Sequence, residues 1–95
     1  MLHTLSHTSS QTDSALLLSL INQQDIIVLW QDGVTIAVKG NDLLQDMFKQ
    51  SIQVYALKQD ISARGLLPLL DDNVILIDME ACIALTAQHY PQLAW

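Results

Sequence analysis

The stretch Ile26-Ile27-Val28-Leu29-Trp30 decides the fold class of this chain. It is an unbroken run of β-branched and aliphatic residues without polar alternation, which is typical of a strand covered on both faces in a parallel sheet. Asp32-Gly33 follows and ends the run. Two similar apolar runs occupy residues 54–57 and 74–77. We therefore predict three parallel strands at these places, all in the interior of one sheet.

Helical patterns lie before and between these runs. Asp13 or Ser14 can cap a helix over residues 15–21, and that helix is so apolar that we expect it to be covered on more than one side. Asn41 can cap a second helix. Its apolar residues recur on one stripe, which we expect to cover the sheet: Leu43, Leu44, Met47 and Phe48.

Two further helical segments follow. Asp60 can begin a short turn that Gly65 closes. Asp78 can cap a helix over residues 79–89, which Pro91 stops. The apolar stripe that we expect on the inner side of this helix contains Met79, Cys82, Ile83, Ala87 and Tyr90.

Strands that alternate with helices indicate an α/β fold. Residues 2–5 supply a fourth, weaker strand before the first helix. We predict one small domain over residues 1–95, with a parallel sheet of about four strands and helices on both faces, because a chain of 95 residues has no room for a second domain.

Composition restricts the partners of this chain. Four Lys and Arg against ten Asp and Glu give a net charge of −6, which repels nucleic-acid backbones. Apolar residues make up 51% and charged residues 15%, whereas an average soluble domain has about a quarter charged. We therefore expect a partner to cover part of the surface, and the isolated chain to dimerise or aggregate. The candidate partner interface contains Leu66, Leu67, Leu69, Leu70 and Trp95.

A single cysteine, Cys82, excludes an internal disulfide and any multi-cysteine metal site on this chain. The first residues lack the basic and apolar regions of a secretory signal. No apolar run approaches the ~18 residues that a membrane span needs. We expect a cytoplasmic protein without a membrane segment.

Three aspartates, Asp32, Asp60 and Asp78, follow predicted strands, and we expect them along one edge of the sheet. Together they would suit a hard cation such as Mg²⁺. We favour the structural alternative, in which Asp60 and Asp78 cap helices and Asp32 belongs to a turn. We expect the histidines to be solvated or packed residues and not metal ligands: His3, His7 and His89. The sequence thus predicts neither a metal nor a cofactor.

Cys82 is the one good nucleophile, and the start of a helix lowers a thiol pKa. It lies, however, on the predicted inner stripe, where burial raises that pKa. We favour a core role for Cys82. Trp95 is either a clamp onto its own domain or an anchor into a partner, and both alternatives remain open.

Several short motifs together resemble the TusB/DsrH family in order and spacing. They are Met1-Leu2-His3-Thr4-Leu5, Gln31-Asp32-Gly33-Val34, Val54-Tyr55-Ala56-Leu57-Lys58-Gln59-Asp60 with Ala63-Arg64-Gly65, Ile75-Leu76-Ile77-Asp78, Leu85-Thr86 and Ala94-Trp95. The resemblance implies the DsrE/DsrF/DsrH-like fold, a three-layer, flavodoxin-like arrangement. It also implies assembly with TusC-like and TusD-like subunits into a hetero-hexamer, a dimer of heterotrimers. That complex passes persulfide sulfur from TusA-like to TusE-like carriers for 2-thiolation of the tRNA wobble uridine.

The resemblance implies no sulfur-carrying role for this chain. The persulfide cysteine of the complex belongs to the TusD-like subunit, and this chain has no cysteine before Cys82. We therefore expect a non-catalytic subunit of a cytoplasmic sulfur-relay complex. Two alternatives stay open: a sulfurtransferase that carries persulfide on Cys82 itself, and a small ligand-binding or metal-binding module that uses the aspartates. Rapid alkylation of Cys82 would favour the sulfurtransferase. A shift of the melting temperature with Mg²⁺ would favour the ligand-binding or metal-binding module.

Overall fold

A computed structural model describes residues 1–89 and 91–95. The strands and helices in chain order are β1 (Leu2–Leu5), α1 (Ser14–Leu20), β2 (Ile26–Leu29), α2 (Asp42–Lys49), β3 (Gln53–Leu57), α3 (Lys58–Ala63), β4 (Ile75–Ile77), α4 (Met79–Gln88) and β5 (Gln92–Ala94). Short 3-10 segments lie at Ser9–Gln11, Gln31–Ala37 and Leu67–Leu69. Among the described residues, no helix has the length and apolar character that crossing a membrane requires.

The sheet has the strand order β4-β3-β2-β1-β5, and all four strand pairings in the described residues are parallel. The predicted α/β fold with a parallel sheet is confirmed. The prediction of an interior strand at residues 74–77 is wrong, because β4 is an edge strand. The fifth strand, β5, was not predicted, since its three residues are exposed and form no apolar run.

The direction of the crossovers places the helices. The chain steps from β1 to β4 in one direction across the sheet and then returns from β4 to β5 on the far side of β1. Right-handed crossovers therefore put α1 and α2 on one face and α4 on the other. The packing agrees: Leu17 and Met47 belong to a core on the first face, and Cys82 packs with Leu2 and Val28 on the second.

Three of the predicted helix caps are confirmed. The side chains of Asp13, Asn41 and Asp78 each accept a hydrogen bond from a backbone amide of the first turn, at 3.1, 3.1 and 2.8 Å. The prediction that Asp60 begins a turn is wrong, because α3 begins at Lys58. The Asp60 carboxylate instead accepts a hydrogen bond of 2.7 Å from the amide of Gln31. The local sequence could not show a partner so distant along the chain.

The apolar helices are less covered than expected. In α1 only Leu17 is buried, whereas Leu16 and Leu20 are each 47% exposed, so the predicted cover on more than one side is wrong for this chain alone.

On α4, Met79 and Ile83 are exposed, and the inner side consists of Cys82 with Ala81 and Leu85. The predicted inner stripe is therefore wrong for Met79 and Ile83 and confirmed for Cys82. The helix is apolar nearly all round, so periodicity could not select the inner side. Ala87 is also exposed, and Tyr90 lies outside the described residues.

Candidate functional site

The three predicted rim aspartates do not form a cation site. The Arg64 Nη2 atom lies 2.8 Å from Asp32 Oδ1, and Arg64 Nη1 lies 3.8 Å from Asp60 Oδ1. A guanidinium group therefore occupies the place between these two carboxylates. Asp78 is engaged separately as the cap of α4. Within residues 1–89 and 91–95, no three His, Cys, Asp or Glu side chains are arranged to hold a metal ion.

A hollow of about 520 Å³ opens beside the start of α2. Ser9, Ser14 and Asn41 line it together with the carboxylates of Asp42 and Asp46. Two carboxylates at its wall repel an anion and disfavour phosphate binding. This agrees with the lack of a glycine-rich phosphate loop in the sequence.

Cys82 lies between α4 and the sheet and is 2% exposed. Leu2, Val28 and Ile77 belong to the same buried cluster. Burial raises the pKa of the Cys82 thiol above its ordinary value of 9.0. Since the thiolate is the reactive form, Cys82 is poorly placed to attack or to be reached by another thiol in this state of the chain.

A buried polar network runs along β1, from Asp25 directly before β2 to Trp95 directly after β5. His3 is fully buried, and its Nε2 atom lies 3.0 Å from Asp25 Oδ2. On the other side of the ring, Trp95 Nε1 lies 3.1 Å from His3 Nδ1. An indole nitrogen can only donate, so Nδ1 accepts and Nε2 carries the proton that His3 donates to Asp25. The partners thereby fix the tautomer of His3.

Asp25 is the acceptor at the centre of this network. Burial of its carboxylate opposes ionisation and raises the pKa, but hydrogen bonds from His3, the Asn22 amide and the Met1 amino group outweigh this, so the pKa of Asp25 lies below its ordinary value of 3.8. The distances from the carboxylate to Asn22 N and Met1 N are 3.1 and 3.0 Å. A buried carboxylate with three donors holds the loop after α1 against β1.

The sequence patterns did not reveal this network. His3 was expected to be solvated or packed, and it is packed, but its partners were not predicted. The signal available was weak: a histidine in an otherwise apolar strand, and an aspartate directly before β2. The His3 ring bonds to Asp25, which is 22 positions away in the chain, and to Trp95, which is 92 positions away. Local patterns cannot show contacts between residues so far apart.

Trp95 is a clamp onto its own chain. Its backbone N–H donates to the Thr4 carbonyl at 2.8 Å, and its carbonyl accepts from the Ser6 amide at 3.2 Å. With the indole bond to His3, these contacts hold the end of β5 against β1. Part of Trp95 also lines a hollow at the surface, so its role as an anchor into a partner stays a prediction.

That hollow is apolar and has a volume of about 290 Å³. The residues that line it come from α1 and from the end of β5: Leu16, Leu20, Leu93, Ala94 and Trp95. We call this the α1/β5 surface. In the second predicted patch, Leu67 and Leu69 are each 52% exposed, whereas Leu66 and Leu70 pack against the core. The interface role of both patches remains a prediction.

Comparisons with known proteins give consistent results. A sequence model of the family described as "DsrH like protein" matches residues 7–92. The proteins named "Protein TusB" from Salmonella arizonae and Salmonella typhimurium are each 44% identical to this chain over 95 residues, which is all of both chains. The crystal structure of the ychN protein from E. coli has a TM-score of 0.78 at 18% identity, and the match covers 99% of this chain and 97% of that one. This last match shows a common fold.

Proposed function

Because the chain belongs to the DsrH-like family, we propose that it is a non-catalytic subunit of a cytoplasmic sulfur-relay complex. The complex would support persulfide transfer for 2-thiolation of the tRNA wobble uridine. The observation that carries the proposal is the 44% identity, over the whole length of both chains, with proteins named TusB. We propose TusC-like and TusD-like subunits as its partners in a hetero-hexamer, a dimer of heterotrimers. TusA-like and TusE-like carriers would be served indirectly.

The position of Cys82 supports a non-catalytic role. To carry persulfide sulfur, a thiolate must attack the terminal sulfur of a donor persulfide, form a new S–S bond and release the donor thiolate. The carrier must then offer that sulfur to a second thiolate, so its own sulfur must be accessible twice. Cys82 is buried and its thiol pKa is raised, and both properties oppose these steps.

The charge of the chain supports a position away from the tRNA itself. The net charge is −6, and the basic residues do not form a run: Lys39, Lys49, Lys58 and Arg64 are spread along the sequence. Arg64 is in addition paired with Asp32. A chain of this charge gains little from a phosphate backbone, so we propose no direct contact with nucleic acid.

Purification of the tagged chain from the cells that make it tests the proposal. We expect two further small proteins of related fold to accompany it in equal amounts, and all three to elute together at the size of a hexamer. The same tag on the Gly33→Ala variant, which we expect not to fold, is the control for capture by exposed apolar surface. Recovery of the wild-type chain alone, or of partners that the control also captures, would contradict the proposal.

A further inference from the structure

We infer that the α1/β5 surface is the face on which this chain docks to a partner subunit of the relay. The partner would place an apolar side chain, flanked by Lys or Arg, into the hollow between α1 and β5. This inference rests on the proposed function and names the surface and chemistry of the contact.

The exposed leucines of α1 carry the first step of the argument. Leu16 and Leu20 stand four residues apart, which places them on one side of the helix, and each is 47% exposed. The helix segment Ser14–Leu20 contains no charged residue. Leu17 is buried and Leu18 packs against the core, so these two residues hold α1 on the sheet. Leu16 and Leu20 therefore form an apolar side that the fold of this chain does not use.

The edge of the sheet continues this surface. β5 is the last strand beside β1, and all three of its residues are exposed. Leu93 joins Leu16 and Leu20 in lining the hollow, so its side chain lies on the α1 face of the sheet. In the described part of the chain, the helical layer on this face ends at α1 and leaves Leu93 uncovered. A partner that packs here completes the layer.

The hollow is formed before any partner arrives. The indole of Trp95 is held by His3 at 3.1 Å, and the Trp95 backbone is held by Thr4 and Ser6. A side chain that enters the hollow therefore meets a fixed aromatic wall, and little conformational entropy is lost there on binding. Fixed aromatic residues in apolar surroundings are typical centres of protein interfaces.

The charge of this chain distinguishes between two possible occupants of the α1/β5 surface, a second copy of the chain and a different subunit. Two copies would bring together net charges of −6 and −6, a total of −12, and neither α1 nor β5 has a basic residue to offset them. The charged side chain at the start of α1 is Asp13, which is exposed and negative. The surface is therefore complementary to an apolar group beside a positive charge, and not to itself.

Neutral substitutions on two matched pairs of exposed apolar residues test this assignment. The test pair is Leu16→Gln with Leu20→Gln, each 47% exposed. The control pair is Met79→Gln with Ile83→Gln, which also stand four residues apart on a helix and are 41% and 61% exposed. Each double variant is co-expressed with the TusC-like and TusD-like proteins of the same cells, and the dissociation constant is measured. We expect the test pair to weaken binding about 100-fold, as loss of central interface residues does, and the control pair to bind like the wild type.

Leu93→Gln repeats the test from β5, in case the α1 variant does not fold, and all melting curves are compared with the wild type. Normal binding by the folded test variants would overturn the inference while leaving the proposed function intact. Loss of binding in the control pair alone would place the interface on α4 and would also overturn the inference. A wild-type homodimer that the test pair dissociates would show that a second copy is the occupant. If the wild-type chain binds neither subunit, the proposed function fails first.

Discussion

Replacing Gly33 with alanine is expected to prevent the chain from folding. Gly33 is buried in the 3-10 segment after β2. A Cβ atom there would lie 2.6 Å from the Leu5 carbonyl carbon and still closer to the carbonyl oxygen. That oxygen also accepts the amide of Trp30 at 3.1 Å, so the backbone cannot move away without breaking the join between β1 and β2. We expect a loss above about 4 kcal/mol, against a total stability of about 5–15 kcal/mol for a typical domain.

Urea unfolding followed by circular dichroism checks this expectation, and Gly40→Ala is the matched control. Gly40 has φ +85°, but no atom lies within 4 Å of a Cβ placed there. Gly40→Ala is therefore expected to lower the free energy of unfolding only by the cost of a left-handed backbone conformation, about 1–2 kcal/mol. A Gly33→Ala chain that unfolds at the same urea concentration as the Gly40→Ala chain would contradict the close packing of Gly33 against Leu5.

Replacing Asp25 with asparagine is expected to cost about 2–3 kcal/mol at pH 7, the scale of buried hydrogen bonds to a charged group. The carboxylate is 5% exposed and accepts from His3, Asn22 and the Met1 amino group. An amide is neutral and has one acceptor oxygen, so it cannot satisfy all three donors. Asp13→Asn is the control, because Asp13 is exposed and asparagine caps a helix equally well; we expect a change within about 0.5 kcal/mol.

The difference between wild type and Asp25→Asn should also depend on pH. Because the folded-state pKa of Asp25 is lowered, its carboxylate stabilises the fold above the ordinary pKa of 3.8, and this stabilisation is lost as the pH falls through the folded pKa. Unfolding free energies should thus differ by a constant amount near neutral pH and converge below about pH 4. A difference that persists undiminished at pH 3 would contradict the ionised carboxylate as the source of stability.

Local signals in the sequence predicted those parts of the fold that depend on neighbouring residues. The uninterrupted apolar run before Trp30 identified a buried parallel strand, and Asp13, Asn41 and Asp78 identified helix starts, because a cap bonds to an amide only three residues away. Contacts between distant segments were not predictable in this way. The bond from Gln31 to Asp60 joins residues 29 positions apart, and it changed the role expected for Asp60.

Sequence patterns also could not predict which sides of the apolar helices are buried. Sequence patterns predicted that α1 would be covered on more than one side, and in the isolated chain it is not. The pattern measures how much apolar surface a segment has, but not whether its own chain or another one covers it. Leu16 and Leu20 lack that second cover in this chain, and we propose that a partner supplies it.

We propose that this chain supports sulfur transfer without carrying sulfur itself. The measurement that tests this proposal is tRNA 2-thiolation in cells whose only copy of the chain carries Cys82→Ser, with assembly of the complex followed in parallel. The substitution should cost about 1–2 kcal/mol of stability, as a modest change in a core does. Cys82→Ala, which removes the thiol without adding a buried hydroxyl, guards against a folding defect. We predict near-normal thiolation with either variant, whereas an intact complex that no longer thiolates tRNA would contradict the claim, since neither side chain can form a persulfide.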